Sequence, residues 1–179
     1  GYIDGETVLL DFQNAQGDQS NLNSMSTRFV SRGADVMVGI ATPSAQALAN
    51  SSKEIPIVLG AVTDPEGSGL VESNEAPGGN ITGVSDLTPI KEQFFLIKEI
   101  LPDAQTIGIL YSSSEDNSIV QAEQAIDIAT EMGLETQIMT VSSTNDVAQV
   151  GATLASQVDA IWVPTDNTIA SAMNTLVTA

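Results

Sequence analysis

Small hydroxyl, amide and carboxylate side chains gather in short clusters along this chain, each just after an apolar run. They are "NAQGDQSN" from Asn14, "ATPSAQA" from Ala41, "TDPEG" from Thr63, "SSSEDNS" from Ser112 and "PTDNT" from Pro164. Neutral donors of this kind can seat an anion on the free N–H groups of a helix start, and a carboxylate can hold a cation. In "ATPSAQA", Thr42 suits a helix N-cap, Pro43 its first turn, and Ser44 adds a hydroxyl. The stretch is therefore either a plain cap or a seat in which backbone N–H groups and the Thr42 and Ser44 hydroxyls receive a carboxylate. "SSSEDNS" has more hydrogen-bonding groups than a cap requires. Ser113, Ser114, Asn117 and Ser118 are candidate ligand donors, while Glu115 and Asp116 complement the dipole of a helix start. Asp166 is either an N-cap or a buried carboxylate whose cationic partner arrives with a ligand, because an unpaired buried charge is costly. Thr63 and Asp64 form a further strand-end pair, although Asp64-Pro65 is first of all a turn signal.

What is missing narrows the chemistry. The chain has no histidine and no cysteine, which removes Ser–His and Cys–His nucleophile pairs and the ordinary zinc ligand sets. No GxGxxG or GxxxxGK[ST] motif occurs, so nucleotide phosphates are disfavoured. Glu115 and Asp116 are adjacent, and side chains one apart on a helix diverge, which makes them a poor catalytic pair. A metal site would have to come from scattered carboxylates. The reading is a protein that binds rather than catalyses, with no cofactor and no metal.

These clusters need elements to position them. Short apolar, β-branched runs predict strands at Thr7–Asn14, Asp35–Ile40, Ile55–Val62, Ile81–Asp86, Thr106–Tyr111, Glu135–Val141 and Asp159–Pro164. Between them the spacing turns helical. Ile90, Phe94, Ile97 and Leu101 share one helix face, and Ala122, Ala125, Ile126, Ala129 and Met132 share another that ends at Gly133. Strand–helix alternation predicts parallel sheets with helices on both faces, and ligands in such sheets sit beyond the strands' carboxyl ends. "SNEAPGGN", Ser73–Asn80, is the one break in composition. A division near residues 78–88 follows, giving α/β lobes at 1–82 and 83–179 with a hinge near Thr82–Thr88.

Charge excludes other classes. The 179 residues carry 23 acids against 5 bases, a formal net charge of −18. So few cations cannot release the counterions of nucleic acid or seat the chain on an anionic membrane. No apolar run is long enough to span a bilayer. The chain opens close to a strand and stops inside a helical pattern, so a longer natural protein is expected at both ends.

Taken together, "NAQGDQSNL", "GIATPSAQALAN", "IPIVLGAVTDPEGSGLV", "GGNITGVSD", "IGILYSSSEDNS" and "WVPTDNTIASA" resemble the substrate-binding proteins of ABC transporters with the type I periplasmic-binding fold, and within them the tryptophan and tyrosine uptake subfamily. The resemblance implies two doubly wound parallel-sheet lobes, truncated here at both ends, that close on an amino acid. It also implies an ABC permease as partner and an extracytoplasmic location, periplasmic or lipid-anchored. Carried over by residue, Thr42, Pro43 and Ser44 would seat the carboxylate. Ser113, Ser114, Asn117 and Ser118 would approach from the second lobe, and Asp166 would take the ammonium. Asn14, Gln16 and Asp18 match the opening motif. The same lobes also serve as effector-binding domains of transcription regulators, which a DNA-reading segment before residue 1 would distinguish. A flavodoxin-like enzyme would need a cofactor or a titratable catalytic group.

Overall fold

Six of the expected strands form, in two separate parallel sheets, within a computed structural model that describes residues 1–178. In the first sheet β1 (Met37–Ile40), β2 (Ile57–Val62) and β3 (Ile81–Ser85) lie in that order. The second has β4 (Thr106–Ser112) at its centre, flanked by β5 (Glu135–Val141) and β6 (Ala160–Trp162). β3 pairs with β2 as far as Ser85, so the first sheet ends beyond the expected division between residues 82 and 83. The chain crosses to the second unit through residues 86–89.

The stretch Thr7–Asn14 is not a strand. It contributes one isolated bridge, between Asp4 and Val8, and runs on as irregular chain. Its composition suits a strand, but a strand exists only when a neighbouring edge takes its N–H and C=O groups. None does here, and Phe12 is left 82% exposed.

The two sheets are covered differently. α1 (Gln19–Ser31) and α2 (Thr42–Ser51) belong to the first unit, where Ala45, Leu48 and Ala49 pack on Met37, Ile57 and Leu59. The opposite face of that sheet carries no helix among the described residues, and Val38, Ile40, Val58 and Val84 are exposed on it. In the second unit, α3 (Ile90–Ile100) and α4 (Asp116–Glu131) cover Ile107 and Ile109 on one face. α5 (Val147–Ala155) and α6 (Asn167–Ser171), followed by α7 (Met173–Thr178), cover Leu110 and Val141 on the other. Full burial of such side chains contributes about 1.5–3 kcal/mol each. Most of the expected helix faces form: Ile90 and Phe94 are buried and Ile97 packs beside them, whereas Leu101, just past the end of α3, is 41% exposed, and Gly133 leaves α4 at a φ of 71° that suits glycine. Phe94 stacks obliquely on Trp162, whose indole N–H donates to Gln93 at 2.8 Å.

Candidate functional site

β1 and β2 end side by side, and near their ends the backbone leaves its ordinary regions, at Ala41 just past β1 and at Ala61 inside β2, where the pairing with β3 shifts register. Ala41 (φ 68°, ψ 154°) and Ala61 (φ 51°) occupy conformations that cost non-glycine residues of order 1–3 kcal/mol each. The Ala41 N–H is committed to the Gly60 carbonyl at 3.0 Å. This turn delivers Thr42 to the start of α2, where no side chain caps the leading N–H groups. Gly39 lets the helix come this close, since a Cβ there would stand 2.8 Å from the Ala45 Cα. One uncapped helix start therefore faces the crossing between the units, with the Thr42 hydroxyl beside it.

The second unit is built around two buried carboxylates. Glu115 precedes α4 but does not cap it. Its oxygens instead accept the N–H groups of Asn167 (3.0 Å) and Thr168 (2.8 Å), the Asn167 amide (2.6 Å) and the Thr168 hydroxyl (2.8 Å), which pins the loop between β6 and α6 against α4. Asp166 lies in that loop, 4% exposed, and accepts the N–H of Ser112 at 2.6 Å and of Ile169 at 2.8 Å. Burial pushes its carboxyl above the ordinary carboxylate range; the N–H groups of Ile169 and Ser112 oppose this, the neighbouring Glu115 charge adds to it, and the Ser118 hydroxyl opposes it. Asn117, in the first turn of α4, donates its amide to the Thr165 carbonyl at 2.7 Å. Gln121, one turn on, donates to the Asn117 carbonyl and the Thr165 hydroxyl.

These groups meet at a cavity of about 260 Å³ between the units, lined by Thr42, Thr63, Asp86, Asn117, Thr165 and Asp166, with both strained alanines, Ala41 and Ala61, in its wall. That is just under the roughly 300–1,000 Å³ of pockets for drug-sized ligands, and suits a smaller metabolite. Two of its polar atoms have no partner although they are buried: the Thr42 hydroxyl, on a residue 1% exposed, and the Asn117 Oδ1, on a residue 2% exposed. Buried polar atoms are rarely left so. They stand on opposite units. The units also bond directly, Thr63 hydroxyl to Thr165 hydroxyl at 2.9 Å, Gln46 amide to Asp116 carboxylate at 2.8 Å, and Gln19 amide to the Ser114 carbonyl at 2.7 Å.

Of the residues expected from the sequence, Thr42, Thr63, Asn117 and Asp166 line the cavity. Ser118 is fully buried behind it and bonds with Asn117. Pro43 and Ser44 sit in the first turn of α2, outside the lining. Asp64 closes its own turn by accepting the Gly67 N–H, as the Asp-Pro signal implies. Asn14 does the same for Gln16, and both are exposed. Ser114 reaches the first unit through its carbonyl and not its hydroxyl. Ser113 belongs to a larger depression of about 380 Å³ on the second unit alone, with Ser142, Asp146 and Gln149. There Asp146 is already paired with the Ser142 and Ser143 hydroxyls, and no buried unpartnered atom remains. The sequence reading missed Asp86 and took Glu115 for a complement to the α4 dipole. The acid is spent instead on α6, a pairing between residues far apart in the chain.

All of residues 1–179 match the family described as ABC transporter substrate binding protein. The chain belongs to this family. It is 43% identical over 173 residues to the tyrosine-binding protein of Clostridioides difficile (strain R20291), which covers 97% of this chain and 50% of that protein. The ABC domain from Streptococcus pneumoniae in complex with L-Trp superposes with a TM-score of 0.96 at 49% identity, over 99% of this chain and 60% of that one. The ligand-free, open structure of CD0873, a substrate-binding protein with adhesive properties from Clostridium difficile, superposes at 0.63 with 39% identity over the same shares, 99% and 60%. This member of the family thus spans about half to three fifths of the length of these relatives. Its architecture is that of type I periplasmic-binding proteins.

Proposed function

We propose that this substrate-binding chain holds a free amino acid with an aromatic side chain in the cavity between its two units, as the extracytoplasmic capture component of an ABC importer. The observation that carries this reading is the pair of buried, unpartnered oxygens on Thr42 and Asn117, set on opposite walls of one cavity that also holds the Asp166 carboxylate. The α-carboxylate rests on the uncapped N–H groups of α2 and the Thr42 hydroxyl. The α-ammonium donates to Asn117 Oδ1 and to the remaining lone pairs of Asp166. Neither wall offers both halves of a zwitterion, so the guest lowers the free energy of the closed arrangement by bridging them. Superposition at 0.96 on a domain holding L-Trp, against 0.63 on a ligand-free open relative, supports taking the present arrangement as the closed one. The aromatic preference rests on the Tyr- and Trp-binding relatives. No described helix is long and apolar enough to cross a membrane, and membership of the family supports an ABC permease as the partner.

The test is a thermal-shift panel of all twenty amino acids on the full-length protein. A rise in Tm confined to Trp, Tyr or Phe is expected. No response to any amino acid would remove the reading.

A further inference from the structure

We infer that Glu115 is a positioning residue for ligand binding: from behind the cavity it satisfies the start of α6, and so leaves the Asp166 carboxylate free to face the ligand. The inference rests on the amino-acid reading above and adds to it a residue that never touches the ligand. Glu115 is 2% exposed, does not line the cavity and has no ion-pair partner among the described residues. Its carbonyl accepts the N–H groups of Ser118 (3.0 Å) and Ile119 (3.2 Å), which fixes its backbone to α4. Its side chain leaves α4 uncapped and reaches the start of α6 instead. A buried carboxylate without a cation is costly unless hydrogen bonds satisfy it. Here all four come from Asn167 and Thr168.

The start of α6 presents three N–H groups, on Asn167, Thr168 and Ile169, that no preceding turn of helix can take. Glu115 accepts the first two and Asp166 the third. Asp166 therefore spends one lone pair of one oxygen on Ile169 and one of the other on Ser112, and keeps a second on each. Without Glu115, Asp166 would be the one carboxylate left at that helix start, and the N–H groups of Asn167 and Thr168 would compete with the ligand for it. Thr165, on the other side of Asp166, is held separately by Asn117 and Gln121. Burial first, and the Glu115 charge after it, hold the Asp166 carboxyl above its ordinary range against the N–H groups of Ile169 and Ser112 and the Ser118 hydroxyl. The other acids near the cavity are Asp86, in its wall, and Asp116, bonded to Gln46; none of the five cations lines it.

The experiment uses the full-length protein and isothermal titration with whichever of L-Trp, L-Tyr or L-Phe gives the largest thermal shift, on variants shown to be folded by circular dichroism. Glu115→Gln keeps the size of the side chain but turns one of its two acceptor positions into a donor, so that an α6 N–H is left to Asp166. Amino-acid affinity should fall by about tenfold. With the negative neighbour gone Asp166 ionises more readily, so the pH at which affinity is half lost should move down. Asp159→Ala is the control for stability alone. It removes a carboxylate that accepts the N–H groups of Gln105 (2.8 Å) and Thr106 (2.9 Å) at the far ends of β4 and β6, so Tm should fall while affinity and the pH midpoint stay as in the wild type. Thr168→Val takes only a hydroxyl from Glu115 and keeps the charge. It should weaken affinity by roughly two- to threefold with the midpoint unmoved, and it carries the test if Glu115→Gln does not fold. A folded Glu115→Gln with wild-type affinity or a wild-type midpoint, a loss of affinity that Asp159→Ala shares, or a Thr168→Val with wild-type affinity overturns the inference while the cavity reading stands. A wild type that binds none of the three amino acids overturns the cavity reading itself.

Discussion

On the proposed reading, Asp166 would serve the fold and the ligand with the same two oxygens. Each already accepts one backbone N–H, so Asp166→Asn can satisfy only one of Ser112 and Ile169 in either amide orientation. Loss of the other bond should lower the stability of the ligand-free protein by about 1 kcal/mol, read as a lower Tm, while amino-acid binding falls by at least tenfold in calorimetry. The raised pKa gives two opposite pH dependences. Its folded value lies above the ordinary 3.8, so the folded state holds this proton more tightly than the unfolded chain does. The stabilisation from that proton is complete below the unfolded value and is lost as pH rises through the folded one. An ammonium ligand favours the ionised form, so affinity should fall as pH drops through the Asp166 pKa of the ligand-free protein. Titrations between about pH 4 and 7 check this, and the Asp166→Asn variant should show a flatter profile. The single tryptophan, Trp162, lies in β6 just before this loop and offers a fluorescence reporter when the ligand is tyrosine or phenylalanine.

At the level of elements, the proposed carboxylate seat depends on how closely α2 approaches β1. Gly39→Ala would drive a methyl into the Ala45 backbone, which cannot move as a side-chain tip can. The expected cost is about 1–3 kcal/mol in denaturant unfolding. Because α2 must tilt away and take Thr42 with it, amino-acid affinity should fall as well. Gly60→Ala on the neighbouring strand is the control, since a Cβ there meets nothing closer than 3.7 Å. The strained Ala41 and Ala61 belong to the same device. Ala41 turns the chain off the end of β1, Ala61 lies within β2 where its register with β3 shifts, and both line the cavity.

Across the whole molecule, the two units are also joined by bonds that never touch the cavity. Gln46 and Asp116 join α2 to α4, and neither lines the cavity. Gln46→Ala should remove roughly 0.5–1.5 kcal/mol from the closed state, and so weaken amino-acid affinity by up to about tenfold with every ligand contact intact. Small-angle scattering should show a more expanded ligand-free form, and the affinity loss should appear for every ligand alike. That uniformity separates it from the loss of a single ligand contact.

The alternation of strands and helices, most of the buried faces of α3 and α4 and the glycine that ends α4 were legible in the residues alone. All of these follow from local periodicity and backbone chemistry, which neighbours in the chain decide. Which strand-end groups share a cavity was settled by packing between distant segments. Thr42, Asn117 and Asp166 meet there, whereas Ser113, Asp64, Asn14 and Gln16 turn to other surfaces. The same structure left Thr7–Asn14 without a strand partner, gave Glu115 to the start of α6, far along the chain, and brought Asp86 from an unremarked crossing to the cavity wall. The physical reason is that strand pairing and the destination of a hydrogen-bonding side chain are contacts between distant segments, and residue spacing along the chain carries no direct record of them.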